Sequence, residues 1–162
     1  MQFASTSEDS QHEPKNSLNP SNFPLTSDSR TMHVGATYGE IANRIITVGD
    51  HTRAERISHL FDDRENIMIV RSDCGVTSYT GSYRGVPVTV IATGMGVAMM
   101  DFIVRESTYH LKGEICIIRL GTSGILKADI PAGNGILTSK ARYLRQSYED
   151  NSEEPYLSLI HI

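Results

Sequence analysis

Tryptophan is absent from this 162-residue chain, aromatic residues make up only 7% of it, and there are just two cysteines. Each scarcity excludes something. So few rings leave little material for a base-stacking surface, and a formal net charge of −4 gives no electrostatic reason to expect nucleic acid or an anionic membrane. Cys74 and Cys116 cannot make a disulfide framework, and no CxxC or Cys/His spacing suggests zinc, so both read as free thiols. No apolar run is long enough to span a bilayer, and the N-terminus lacks the apolar core of a secretory signal. The expectation is a soluble, cytoplasmic protein without a metal, a nucleic-acid partner or a membrane. Any anion site must be local, built from a few aimed donors.

The two ends stand apart from the rest. Residues 1–31 are rich in Ser, Asn, Pro, Asp and Glu with isolated aliphatics. Such a segment cannot bury enough apolar surface to offset its ordering entropy, so a disordered leader is expected there. At the other end, Leu157-Ser158-Leu159-Ile160-His161-Ile162 reads as the in-frame translation of a transposase-based sequencing adapter. A processing scar is set aside from fold reasoning, which leaves 32–156 as the natural, foldable part, expected to continue beyond Tyr156.

Within that part, Arg44-Ile45-Ile46-Thr47-Val48 is a β-branched run ending in Gly49-Asp50 and predicts a buried strand. Thr52 can cap a following helix in which Ala54, Ile57, Leu60 and Phe61 fall at helical spacing. Ile67 to Val70 predicts another strand, and Thr77–Tyr83 and Val86–Ala92 flank Arg84-Gly85 as a hairpin with a tight turn. A helix is expected from Val97 to Tyr109, its buried stripe supplied by Met99, Phe102, Ile103 and Leu111. Ile115 to Leu120 is an apolar strand interrupted only by Arg119, and Ile136 to Ser139 predicts a last strand. Strands alternating with helices, several of them apolar on both faces, indicate an α/β fold with a mixed β-sheet flanked by helices.

Three of the predicted strands end in glycine-containing segments: Gly49-Asp50-His51-Thr52-Arg53, Thr93-Gly94-Met95-Gly96 and Arg119-Leu120-Gly121-Thr122-Ser123-Gly124. Ligands of open α/β sheets bind in the crevice beyond the carboxyl ends of strands. Glycine permits close backbone approach, and arginine offers a forked donor that matches phosphate oxygens. Arg119 closes an otherwise apolar strand, where a buried guanidinium requires an anionic partner, either a carboxylate or a ligand. The residues alone leave both open, and no GxGxxG or GxxxxGK[ST] pattern is present.

Taken together and in this order, the three segments resemble the nucleoside phosphorylase-I family. Its first phosphate loop, Gly-Asp-Pro-x-Arg, is matched by Gly49 to Arg53 with His51 in place of proline, and its Arg-Ile-Gly-Thr-[Ser/Thr]-Gly strand end by Arg119 to Gly124. Thr122-Ser123 favours the uridine phosphorylase branch, because purine-specific members more often carry Gly-Ser-Cys-Gly or Gly-Thr-Cys-Gly there. Pro131-Ala132-Gly133-Asn134 looks like the family's next turn, with Asn134 for a usual Asp. The resemblance covers Met32 to Lys140 and implies a three-layer sandwich whose C-terminal part is missing from this chain.

The roles it implies fall on particular positions. Gly49 would donate its backbone N–H to inorganic phosphate, Arg53 and Arg119 would bind and orient the phosphate as the catalytic pair, and Thr122 would add a hydroxyl and an amide. Thr93 and Gly94 would line the ribose, and His33, in Met32-His33-Val34-Gly35, would reach a neighbouring subunit's ribose 5′-hydroxyl. The family's arginine from the adjacent subunit has no equivalent in place: counting back from Gly85 lands on Cys74, with Arg71 three residues earlier. The expected activity is phosphorolysis of uridine to uracil and ribose 1-phosphate, with phosphate as co-substrate and no cofactor. The full-length protein is expected as a homodimer or hexamer, and no turnover is expected from the 162-residue chain itself. The alternatives are a purine nucleoside phosphorylase and a non-catalytic nucleoside-binding member.

Overall fold

The computed structural model describes residues 23–146 and 156–161. It falls into two compact units divided between Thr122 and Ser123. In the first, β1 (Arg44–Val48), α1 (His51–Ser58), β2 (Met68–Arg71), β3 (Thr77–Tyr83), β4 (Val86–Ala92), α2 (Val97–Tyr109) and β5 (Cys116–Leu120) build a five-stranded sheet ordered β2-β3-β4-β1-β5. β1 runs parallel to both β4 and β5, whereas β2-β3-β4 is an antiparallel meander, so the sheet is mixed as expected.

Why β1 and β4 are apolar on both faces is answered by what each face meets. Ile45 and Ile91 pack with Ile103 of α2, with Met99 and Ile117 against them. Ile46, Val48, Val90 and Ala92 pack instead with Ala54 and Ile57 of α1, with Phe61 and with Tyr79. The period-2 alternation of side chains sends successive residues to opposite sides, so the sheet is the middle of three layers. β5 is an outer strand of this sheet, with Ile118 and Leu120 exposed.

The β3–β4 hairpin closes at Tyr83 and Val86. Arg84 and Gly85 both have positive φ, 51° and 75°, the pair of left-handed residues that a type I′ turn demands. The Asp62 carboxylate accepts from both of their backbone N–H groups at 2.8 Å, and these two bonds hold its pKa below the usual carboxylate value. The chain entering β1 is fastened by a directed relay of hydroxyls. Ala42 N–H donates to Thr89 Oγ1 (2.8 Å), Thr89 and Thr80 hydroxyls meet at 2.8 Å, and Thr80 donates to the Glu40 carbonyl (2.7 Å).

Four expectations are corrected. Residues 23–31, assigned to a disordered leader, are packed: Phe23 is buried and stacks on Tyr109 (4.3 Å between centroids), Thr31 is buried, and Arg30 forms a forked pair with Glu40. Residues 1–22 lie outside the described ones. Asp50, not Thr52, caps α1, accepting from Arg53 N–H at 2.7 Å, because the helix begins at His51, two residues earlier than a Thr52 cap would place it. The helix ends at Ser58, so Leu60 is exposed and Phe61 turns back to pack under Gly81. Ile136–Ser139 forms no strand, and Ile136 and Leu137 are exposed.

In the second unit, β6 (Ala141–Gln146) and β7 (Tyr156–His161) form an antiparallel pair running from Ala141 opposite His161 to Gln146 opposite Tyr156. Leu157–His161, set aside above as foreign, thus lie in β7. Pairing of this kind is a backbone property and carries no information about the origin of the segment.

Candidate functional site

The parallel register is what assembles the site. Val48 lies opposite Ala92 of β4 and Leu120 of β5, so the three strands end level with one another. Gly49, Thr93 and Gly121 therefore leave the sheet side by side, and the three segments singled out in the sequence emerge along one rim. Thr93 extends this join: its N–H and its hydroxyl both donate to the Val48 carbonyl, at 2.9 and 3.1 Å.

Arg119 reaches across from β5 to the loop after β4. Its Nη1 donates to Thr93 Oγ1 and its Nη2 to the Gly94 carbonyl at 3.0 Å. A Cβ built on Gly49 would lie 3.6 Å from Arg119 Nη2 and 3.8 Å from the Gly94 carbonyl, so all three loops converge on this guanidinium. The expectation of a buried cation is corrected. Arg119 as a residue is exposed, and among the described residues no carboxylate lies within ion-pair distance of it. Its bonds to Thr93 and Gly94 fix the group while leaving further N–H donors of the five that a guanidinium carries.

Arg53 lies in the first turn of α1, directly after Gly49-Asp50. Its guanidinium sits 3.5 Å from Asp50, whose other oxygen caps the helix. The α1 terminus is thus occupied by the protein's own carboxylate, and an anion at Gly49 would rest on the guanidinium groups more than on the helix dipole. α2 differs: its N-cap, Gly96, has φ 104° and offers no side-chain cap, so the first amide groups after the Thr93–Gly96 loop are left without one. Thr122 follows the end of β5 and is exposed.

His33 is placed elsewhere. It packs on α2, its ring stacked on Phe102 (3.9 Å, 16°) and its Nδ1 2.5 Å from Glu106 Oε1. The two outer positions raised for the adjacent-subunit arginine are both exposed, Arg71 at the end of β2 and Cys74 in the turn before β3. Glu106 and Asp50 are the polar residues that the sequence reading passed over. Glu106 had a signal: an acid four residues after Phe102 falls on the same face of an apolar helical stripe. Asp50 had one too, since Asp before a helix is a favoured cap.

A chain with this sheet and this rim has well-defined relatives. The family model described as the Phosphorylase superfamily matches residues 43–158, and the chain belongs to that family. Over 113 residues it is 33% identical to a DeoD-type purine nucleoside phosphorylase of Listeria monocytogenes and 36% identical to that of Oceanobacillus iheyensis. In each case the match covers 68% of this chain and 46% of the relative, so the chain spans about half the length of these relatives. Among solved structures, one from a study of two uridine phosphorylases of the oomycete Phytophthora capsici superposes with a TM-score of 0.78 and 34% identity, covering 87% of this chain and 50% of that one. A Trypanosoma brucei nucleoside phosphorylase described as showing uridine phosphorylase activity gives 0.59 and 32%, over 67% of this chain and 41% of that one.

Proposed function

We propose that the rim formed by Gly49, Arg53, Thr93, Gly94, Arg119 and Thr122 is the phosphate-and-ribose end of a nucleoside phosphorylase site, and that the nucleoside is uridine. The observation that carries the proposal is the Arg119 guanidinium, pinned by Thr93 and Gly94 beside Gly49 with no carboxylate among the described residues at ion-pair distance from it. A cation held in this way at the carboxyl end of parallel strands suits an anionic ligand. In the reaction, a phosphate oxygen bonds to the anomeric carbon as the bond from that carbon to the base nitrogen breaks. The electron pair leaves with the base, which takes up a proton to become uracil, and ribose 1-phosphate remains. The ribosyl group becomes cationic on the way, so a dianion oriented beneath it contributes both placement and electrostatic stabilisation.

Uridine is supported by Thr122-Ser123 and by the uridine phosphorylase structures among the neighbours. The second reading, a purine nucleoside, is favoured by the DeoD-type relatives. The experiment uses the longest natural product containing residues 32–156, assayed on uridine and inosine with and without phosphate. Release of uracil that saturates with phosphate is expected, and equal release in its absence would sink the phosphorylase reading. Arg119→Ala should weaken phosphate by roughly 10- to 100-fold, the loss of about 1.5–3 kcal/mol from a charge-assisted contact. Unchanged phosphate saturation in that variant would remove Arg119 from the site.

A further inference from the structure

The most fully satisfied buried charge in the described chain is outside the rim. Glu106 of α2 is only 6% exposed, yet its carboxylate has three partners, all from the segment at His33. Oε2 accepts from the backbone N–H groups of His33 (2.8 Å) and Val34 (2.7 Å), and Oε1 faces His33 Nδ1. Phe102, one turn earlier on the same helix, holds the imidazole plane by stacking.

From this arrangement we infer that Glu106 is a positioning residue that fixes His33 in the Nδ1–H tautomer, so that Nε2 is presented as a hydrogen-bond acceptor. An ionised carboxylate only accepts hydrogen bonds. With two amide N–H groups on Oε2, the remaining contact at Oε1 is satisfied only if Nδ1 carries the hydrogen. In a neutral imidazole the other nitrogen is then an acceptor. His33 lines a cavity shared with Phe23, Pro24, Phe102 and Arg105, and Nε2 is the nitrogen left for whatever enters there. An acceptor at that position selects a hydroxyl over a hydrogen atom. The sugar hydroxyl this would recognise is the 5′-hydroxyl of a nucleoside bound by a neighbouring copy, and that part rests on the function proposed above.

Glu106→Gln makes a sharp test because the two backbone N–H groups still demand an oxygen where Oε2 was. The amide nitrogen must then face Nδ1 and donate to it, which drives the histidine proton to Nε2. Long-range ¹H–¹⁵N spectra of the ¹⁵N-labelled chain at alkaline pH, where imidazole is neutral, read the tautomer directly. The His33 signals are identified as those lost in His33→Gln. The expected result is Nδ1–H in the native chain and Nε2–H in Glu106→Gln. Nε2–H in the native chain, or the same tautomer in both, would overturn the inference whatever the substrate. With the longest natural product, uridine should be preferred over 5′-deoxyuridine, and Glu106→Gln should erase most of that preference with little change toward the 5′-deoxy substrate. Equal loss toward both substrates would show a merely structural glutamate and also overturn the inference. A native protein that turns over neither nucleoside would contradict the proposed function while the tautomer result stands.

Discussion

Thr80 and Thr89 show how single hydroxyls decide where the chain enters the sheet. Thr80 spends its proton on the Glu40 carbonyl, so Thr89 must donate to Thr80, and Thr89 is left to accept from Ala42. The direction of every proton in the relay is therefore fixed. Thr80→Val removes one link at nearly constant volume: the buried Thr89 hydroxyl still accepts from Ala42 but its proton loses its acceptor, and the Glu40 carbonyl loses its donor. A loss of about 1–3 kcal/mol is expected, the desolvation cost of unsatisfied polar groups, read from denaturant unfolding with an unchanged slope. Contacts of this kind were not legible in the sequence. Threonines in a strand predict only extended backbone, and nothing local tells Thr80 that Glu40 will lie above it. Arg119 stood out because a cation closing an apolar strand is anomalous by itself. Its partners could not be read, since Thr93 is brought to it only by the sheet.

At the scale of elements, the β3–β4 hairpin shows what local chemistry makes legible. Arg84-Gly85 between two predicted strands marked the turn, and β3, β4 and α2 have the boundaries expected. What the pattern missed is equally local. Ile136–Ser139 has the composition of a strand but no partner among the described residues, and composition alone cannot create one. The α1 start was misjudged because Thr52 and Asp50 are both good caps and only geometry chooses between them. Gly85 has φ of 75° with open space where a Cβ would go, so backbone strain is the only penalty for a side chain there. Gly85→Ala should cost on the order of 1 kcal/mol, the usual left-handed penalty of an L-residue, measurable as a lowered unfolding midpoint. An unchanged midpoint would mean that the turn relaxes to another type.

For the whole molecule, acid is the condition that tests the packing of 23–40 against the rest. Burial pushes the His110 imidazole below its ordinary value, although the Ser29 backbone and the Glu40 charge pull the other way. Its Nε2 is buried without a partner among the described residues. The Glu40 carboxyl is held low chiefly by its hydrogen bond to Arg30, against an opposing desolvation effect. Both signs agree. Between the ordinary imidazole pKa of about 6.5 and the lowered folded value, the unfolded chain binds a proton that the folded chain refuses, so stability falls as the pH drops through that window. Glu40 and Asp62 add a second decline as pH falls below the ordinary carboxylate range toward their lowered folded values. Thermal unfolding across roughly pH 5 to 8, the range in which imidazole titrates, should show the first decline, and His110→Asn should flatten it. A native profile already flat across that window would remove His110 from the balance.

The level ends of β4, β1 and β5 have one more consequence, which concerns what mutation can reach. Neighbouring loops on this rim are spaced by sheet register, and a slip of one residue would shift a strand end by about 3.3 Å and exchange its two faces. Ligand geometry is thus coupled to the choice of isoleucine or valine inside the layers on either side. On the function proposed above, substrate preference would change through the loops, whereas the distance from anion to sugar would be set by the core and change only with it.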